Sequence, residues 1–401
     1  MINSLAKRVG LISYESIETT EGETASDGDF SFTDYNEPEK QSDDENTSFN
    51  QYAYSLLDDN EKWLYNRMNK AVAAHKSELG FLAIYDSDTI YKVNAYLLYD
   101  HPEYFWNVAE GTVWTQTIAS VTFVTRYNFK YWASEKEIPD MQKNVDEAAD
   151  KFLSGVDKNA SDYDKALAVY EYVIDNTKYD YTTYEKEDED DDTRRSRSLY
   201  GVFADKNAVC AGYAKAAQYL LEKLGIQSVY IIGGEIKSDG NHAWLLVKLD
   251  GEYYYMDPTW GDPSNKDGEQ KYNIRHEYFC MNEEELLRKH VFNESTISVP
   301  ECKSQKCNYF VKNGTLLSGA DYDKIEAVVK KAVSEKQPYV EIQFTTKEKY
   351  NEAKRYLFER RHIFDILRDV EKADPKFNNS RHEYYSDNDM YAFKLLLNYK
   401  K

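Results

Sequence analysis

The stretch from Val209 to Pro263 constrains this chain more than any other. It reads VCAGYAKAAQYLLEKLG and then, after two residues, SVYIIGGEIKSDGNHAWLLVKLDGEYYYMDPTWGDP. Small or apolar residues recur at Ala214, Ala217, Leu220, Leu221 and Leu224. That near-3.6 period predicts a helix over 211–224, and Gly225 stands where a left-handed C-terminal cap is expected. His242–Leu249 and Glu252–Asp257 read as strands. Asp250-Gly251 between them is a two-residue hairpin signal. In that register Leu249 faces Glu252 and Trp244 faces Asp257. His242 then shares a sheet face with Asp257 as its diagonal neighbour, roughly 7–8 Å away at the backbone. A symmetric four-residue loop would keep this register, whereas a three-residue loop would put the two groups on opposite faces.

The pattern matters because of the groups it brings together. Cys210 sits at the start of the helix, where free N–H groups and the positive dipole end favour an anion. A thiolate in that position is a nucleophile. Ala211 and Gly212 are expected to leave the approach to the sulfur open. His242 can take the thiol proton, and Asp257 can orient the imidazole; these are the three parts a thiol nucleophile needs. Two of these residues also have a plainer reading: a buried structural cysteine, and a histidine that is structural or merely exposed. The independent turn signal that puts His242 and Asp257 on one face favours the functional one.

Around those three residues the stretch resembles the transglutaminase-like superfamily, a papain-related group of Cys-His-Asp enzymes. Its bacterial members are similar in three blocks: VCAGYA around Cys210, HAW around His242, and YYYMDPTWGDP around Asp257. The resemblance covers about Ser161 to His290, and YFCMNEEELLRKH also looks like the segment after the aspartate in many members. It implies an α+β, papain-like core in which a Cys-bearing helix packs on an antiparallel sheet carrying His and Asp. It also implies acyl transfer from a peptide or carboxamide through a thioester, with Cys210 as nucleophile, His242 as general base then acid, and Asp257 as its orienter. One oxyanion donor would be the Cys210 amide. Tyr200, in SLYGVF, is the candidate for the second, against the blander reading of a packed core tyrosine. Trp244 and Trp260 are candidate cleft walls, against simple packing. No cofactor and no metal are implied. Hydrolysis ranks above amine transfer, because nothing here matches the calcium-binding acidic clusters of animal enzymes. A cross-linking transglutaminase and a non-catalytic binding module remain as alternatives. A protein or peptide substrate is implied, with peptidoglycan stems, host proteins and partner proteins all open.

Composition sets outer bounds. With 401 residues and 41% apolar content, more than one domain and a substantial core are expected. The formal net charge of -21 argues against nucleic-acid binding and against adhesion to anionic lipid. The four cysteines, Cys210, Cys280, Cys302 and Cys307, are too few for a disulfide scaffold. Cys302 and Cys307 are close enough to bridge in an oxidising compartment or to stay reduced in the cytosol. No apolar run is long enough to span a membrane. MINSLAKRVGLISYES lacks the apolar core of a signal peptide. Export is nonetheless common among the bacterial proteins the stretch resembles, which tilts the expectation toward an extracellular or cell-surface site. Oligomeric state is left open.

Around the core, four segments are expected: an acidic, disordered arm over 1–48, an N-terminal α+β cap over 49–157, the catalytic core over 158–300, and a C-terminal α+β domain over 301–401. The cap reads as a helix over 51–76 and strands over 89–99 and 111–132, with a helix over 138–155 after them. Ser161 opens the next helix as an N-cap. The run EKEDEDDD then meets TRRSRS, a charged loop that either gates the cleft, selects basic substrates, or is a solvated insertion; the last is the favoured reading. In the C-terminal part, Asn313-Gly314 predicts a hairpin over 308–318. A helix is expected at 322–335, a strand at 339–344, helix over 347–370, and one or two closing strands within 384–398.

Overall fold

Several helix starts along this chain are set by polar side chains. Asp58 forms a reciprocal capping box with Glu61, Asp86 accepts from the Thr89 amide, and Ser161 accepts from the Asp164 amide. A computed structural model describes residues 51–400, apart from 119, 187–189, 263–273, 294 and 381–382. The expected 1–48 arm lies outside the described residues, as do three residues of the acidic run Glu185–Asp192.

The N-terminal part holds α1 (Tyr52–Ser55), α2 (Asp59–Ala73), β1 (Glu78–Ala83), α3 (Ser87–Asp100), β2 (Asn107–Ile118), β3 (Val121–Tyr131) and α4 (Ile138–Leu153). The three strands form an antiparallel sheet in the order β1-β3-β2. The helix expected over 51–76 is broken at 56–58, where Asp58 starts a new cap. Asp100 closes the break from a distance, accepting from the amides of Ala53 and Tyr54, both at 2.8 Å. The strand expected over 89–99 is a correction: these residues are helix α3. Ile90, Val93, Leu97 and Leu98 are buried on one face at helical spacing. The tyrosines between them imitate a strand's composition, and the 3.6 period decides.

The middle of the chain holds α5 (Asp162–Asp175), β4 (Lys178–Tyr179), α6 (Tyr181–Glu185), α7 (Asp191–Ser196), β5 (Asn207–Ala208) and α8 (Cys210–Lys223). Next come β6 (Ser228–Glu235), β7 (Ser238–Leu249), β8 (Glu252–Met256), α9 (Pro258–Gly261), β9 (Phe279–Met281), α10 (Glu283–Leu286) and β10 (His290–Val291). Strands β10-β6-β7-β8-β9 form a five-stranded antiparallel sheet. Helix α8 packs against β6, β7 and α5. The charged segment on either side of 187–189 is not simply a loop, since α6 and α7 are short helices. Arg195 there is paired with Asp205 at 2.6 Å.

The last part holds α11 (Tyr309–Asn313), β11 (Leu316–Leu317), α12 (Tyr322–Ser334), β12 (Tyr339–Phe344), α13 (Lys347–Lys354), α14 (His362–Ala373), β13 (Tyr384–Asp387) and β14 (Ala392–Leu396). Its sheet runs β11-β12-β14-β13. The hairpin expected around Asn313-Gly314 is corrected to a helix end: Asn308 caps α11, and Gly314 takes the left-handed conformation at its C-terminus. The same Asn-Gly pair serves either turn, and the Asn308 cap selects the helix. One continuous apolar core runs from Ala53 to Cys307 and takes in Met390, and a second is built from other residues between Leu317 and Leu397. Among the described residues no helix is long and apolar enough to cross a membrane.

Candidate active site

The hairpin register is set by its turn. Asp250 and Gly251 both have positive φ, as a tight two-residue turn needs, and Leu249 pairs with Glu252. Counting back, His242 reaches Asp257 diagonally. Its Nε2 lies 2.7 Å from Asp257 Oδ2. Both residues are buried, at 3% and 0% exposure. Asp257 caps α9 as well: its Oδ1 accepts from the amides of Thr259 at 2.9 Å and Trp260 at 3.1 Å. Pro258, next in the chain, suits the first helical position.

Cys210 is the first residue of α8, after Val209 in extended conformation. With Nε2 of His242 committed to Asp257, Nδ1 is the nitrogen left to serve the Cys210 side chain, whose nearness helps to raise this imidazole. Two further contacts fix the start of the helix. The Tyr213 hydroxyl donates to Asp262 at 2.6 Å, tying α8 to the turn after Asp257. The first turn of α8 also lies against the chain at 196–198, and there Gly212 is required. A Cβ at Gly212 would meet the Ser196 carbonyl oxygen at 2.6 Å and the Ser198 one at 2.9 Å. The missing side chain of Gly212 thus admits a neighbouring backbone.

The electrostatics are set by burial and pairing. Burial pushes the His242 imidazole down. The Asp257 charge and hydrogen bond, with the Cys210 contact, more than reverse this and hold it well above the ordinary imidazole range. Burial likewise pushes Asp257 up, but His242 and His290 hold it well below the usual carboxylate range. The arrangement favours a charged imidazolium against a carboxylate.

His290 is a site residue that the sequence reading does not single out. Its Nε2 lies 2.9 Å from the same Oδ2 of Asp257, and the ring is 1% exposed. Its one signal in the sequence is its place at the end of YFCMNEEELLRKH. Donor atoms of His242, Asp257 and His290 lie within 4.8 Å of one another, a grouping a divalent cation accepts. Both N···O separations are of hydrogen-bond length, however, and the group is fully buried. Shared protons account for the geometry.

The two tryptophans differ. Trp260 stacks on His242 at 4.9 Å and lies 4.1 Å from the His290 ring, and it is partly exposed. Trp244 is fully buried. Its ring fills the space that Gly233 leaves, where a Cβ would come within 2.3 Å. Tyr200 lies among Phe105 and Trp132, under the Arg195 guanidinium, an arrangement that packs its ring against the N-terminal part. All four cysteines are free, Cys302 and Cys307 included.

Residues 148–258 match the model of the transglutaminase-like superfamily. They form a transglutaminase-like domain. The match ends one residue beyond Asp257, so it contains Cys210, His242 and Asp257 but not His290. Solved structures similar to the chain include a TGase at 17% identity, covering 50% of this chain and 55% of that one with a TM-score of 0.29. Another, from Cytophaga hutchinsonii and provisionally named a cysteine protease, is 16% identical, with 37% and 62% covered and a TM-score of 0.23. A third, from Parabacteroides distasonis and provisionally named a protease, is 10% identical, with 36% and 35% covered and a TM-score of 0.20. In each case the chain spans less than two thirds of the protein it matches. No curated protein matches the chain. The matched region begins within α4 and ends at the start of α9, so the α+β segment before it and the chain after it stand outside the match.

Proposed function

We propose that this protein is a thiol-dependent acyl-transfer enzyme that hydrolyses peptide or carboxamide bonds through a Cys210 thioester. The observation that carries the reading is the buried imidazole of His242, bonded to Asp257 at 2.7 Å and raised in part by the Cys210 side chain. The Cys210 sulfur attacks the carbonyl carbon and gives a tetrahedral oxyanion. The Cys210 amide, with no intrahelical partner at the first helical position, is one donor to it. Collapse breaks the C–N bond, and His242 gives its proton to the leaving amine. Water then adds to the thioester as His242 takes its proton, and the carboxylic acid leaves as the thiol is restored. Asp257 holds the ring through both steps.

Amine transfer is the second reading. One observation favours it: Cys210 is 8% exposed, so a slender acyl chain entering end-on suits the site better than a broad main chain laid across it. The substrate in either case is a protein or peptide, cell-wall peptides included.

The test is the iodoacetamide rate against pH for the wild type and His242→Ala. An acid-side inflection that the substitution abolishes supports the thiolate–imidazolium pair. A slow thiol with one unchanged profile in both proteins overturns the enzyme reading and leaves a binding module. Incorporation of a fluorescent primary amine into a glutamine-rich protein, against release of ammonia or free amine, separates transfer from hydrolysis.

A further inference from the structure

One oxygen serves two imidazoles. Asp257 Oδ2 lies 2.7 Å from His242 Nε2 and 2.9 Å from His290 Nε2, while Oδ1 is occupied by the Thr259 and Trp260 amides. A carboxylate accepts only, so each Nε2 must carry a proton to bond it. The other nitrogen of His290 lies 3.2 Å from the Leu286 carbonyl oxygen, a second acceptor. A neutral His290 ring has one proton for two acceptors, and only the charged ring satisfies both. The shorter contact, to the charged partner, has first claim on that proton.

The surroundings are fixed. Trp260 lies 4.1 Å from the His290 ring, and Trp244 meets it edge-on at 4.9 Å. The charged or titratable groups facing the pair come from several elements. From the cap of α9, just after β8, comes Asp257, from β7 His242, and from the start of α8 Cys210. From β6 comes Glu235, which pairs with His290 across the sheet and whose Oε1 is 4.0 Å from His242 Nδ1. The neighbouring Lys289 is turned to the Tyr278 hydroxyl at 2.6 Å and to Asp387 at 3.4 Å. Asp257 is the group that hydrogen-bonds both histidines.

We propose that His290 is a positioning residue for the Cys210–His242–Asp257 group: by donating Nε2–H to Oδ2 it fixes the carboxylate plane and limits how tightly Asp257 holds the His242 imidazolium. This rests on the acyl-transfer reading above. A carboxylate with only His242 at Oδ2 would be a stronger partner for the cation. His242 would then keep its proton to higher pH, and would give it up less readily to a leaving amine. The charge on His242 also opposes a second proton on His290, in line with a His290 imidazole pushed down by burial and by that neighbour, despite the opposing pull of Asp257.

The test uses iodoacetate, whose negative charge makes alkylation of Cys210 bell-shaped in pH. The rate rises as thiolate forms and falls as the neighbouring imidazolium is lost. Four full-length proteins are compared: wild type, His242→Ala, His290→Leu and His290→Gln. His290→Leu should move the alkaline inflection up by about 0.5–1 pH unit, the shift that one hydrogen bond is worth. His290→Gln, which restores an N–H donor, should bring it back toward the wild type. An unmoved inflection in His290→Leu, with the bell still lost in His242→Ala, overturns the role of His290 and leaves the enzyme reading standing. No bell in the wild type overturns both. If His290→Leu does not fold, nitrogen NMR of the wild-type histidines decides. Protons on both Nε2 atoms support the proposal, and a His290 protonated only on Nδ1 overturns it.

Discussion

Gly212 and Ser196 touch through their backbones: a Cβ added at Gly212 would sit 2.6 Å from the Ser196 carbonyl oxygen. That oxygen already accepts the Val209 amide at 3.0 Å. The start of the Cys210 helix is thus clamped to the segment before it, and the position of the sulfur depends on a glycine two residues away. Gly212→Ala should force the two backbones apart, cost about 1–3 kcal/mol in urea unfolding, and slow alkylation of Cys210. Gly80→Ala is the control, since nothing lies within 4 Å of its added Cβ; it should stay within about 0.5 kcal/mol.

Asp257→Asn separates charge from shape. The amide oxygen can still accept from Thr259 and Trp260, so the cap on α9 survives and the unfolding midpoint should move little. The amide nitrogen would face His242 Nε2 and favour the wrong tautomer, without a charge to hold the cation. Turnover should fall by roughly 10²–10⁴-fold. Asp257→Ala should lose the cap as well and add about 1 kcal/mol of destabilisation.

Selective alkylation is expected in the native protein. Burial pushes the Cys280 thiol well up, the Cys302 thiol up to about 12, and the Cys307 thiol up as well. A brief exposure to iodoacetamide near pH 7 should add one label, at Cys210, by peptide mass mapping. Labels at Cys302 or Cys307 at a comparable rate would show that this region opens readily.

A second buried histidine carries a stability prediction. His276 Nδ1 lies 2.6 Å from Glu341 Oε2, and its Nε2 is 3.1 Å from Glu171 Oε1; Lys394 reaches Glu341 at 3.0 Å. The group ties α5 to β12 and β14 of the last sheet. Burial pushes His276 down, but the Glu341 and Glu171 carboxylates outweigh it and raise it to about 9. A raised folded-state value stabilises fully below the unfolded value of roughly 6.5. That contribution is lost as pH climbs through about 9. The full effect is on the order of 3 kcal/mol. The urea midpoint should drop between pH 6.5 and 9.5 in the wild type, and His276→Gln should flatten that slope.

Legibility in the sequence tracks the range of the forces involved. The Cys210 helix, the Asp250-Gly251 turn and the face shared by His242 and Asp257 are short-range consequences of period and turn chemistry, and they are readable. Helix α3 reads as a strand because aromatic and β-branched residues mimic one, while its burial face exists only against the neighbouring sheet. Asn313-Gly314 reads as a hairpin because two different turns accept the same pair.

The sequence by itself determined the local geometry: a cysteine at a helix start, and a histidine and an aspartate held in register by one turn. Tertiary structure alone decided which groups those residues meet. It placed α8 over β6 and β7, set Gly212 against Ser196, and carried His290 across 33 residues to share the Asp257 oxygen. Backbone period and turn type are written in neighbouring residues. The sharing of one buried oxygen by two histidines is not, because it depends on how two distant strands of the same sheet are brought together and closed off from water.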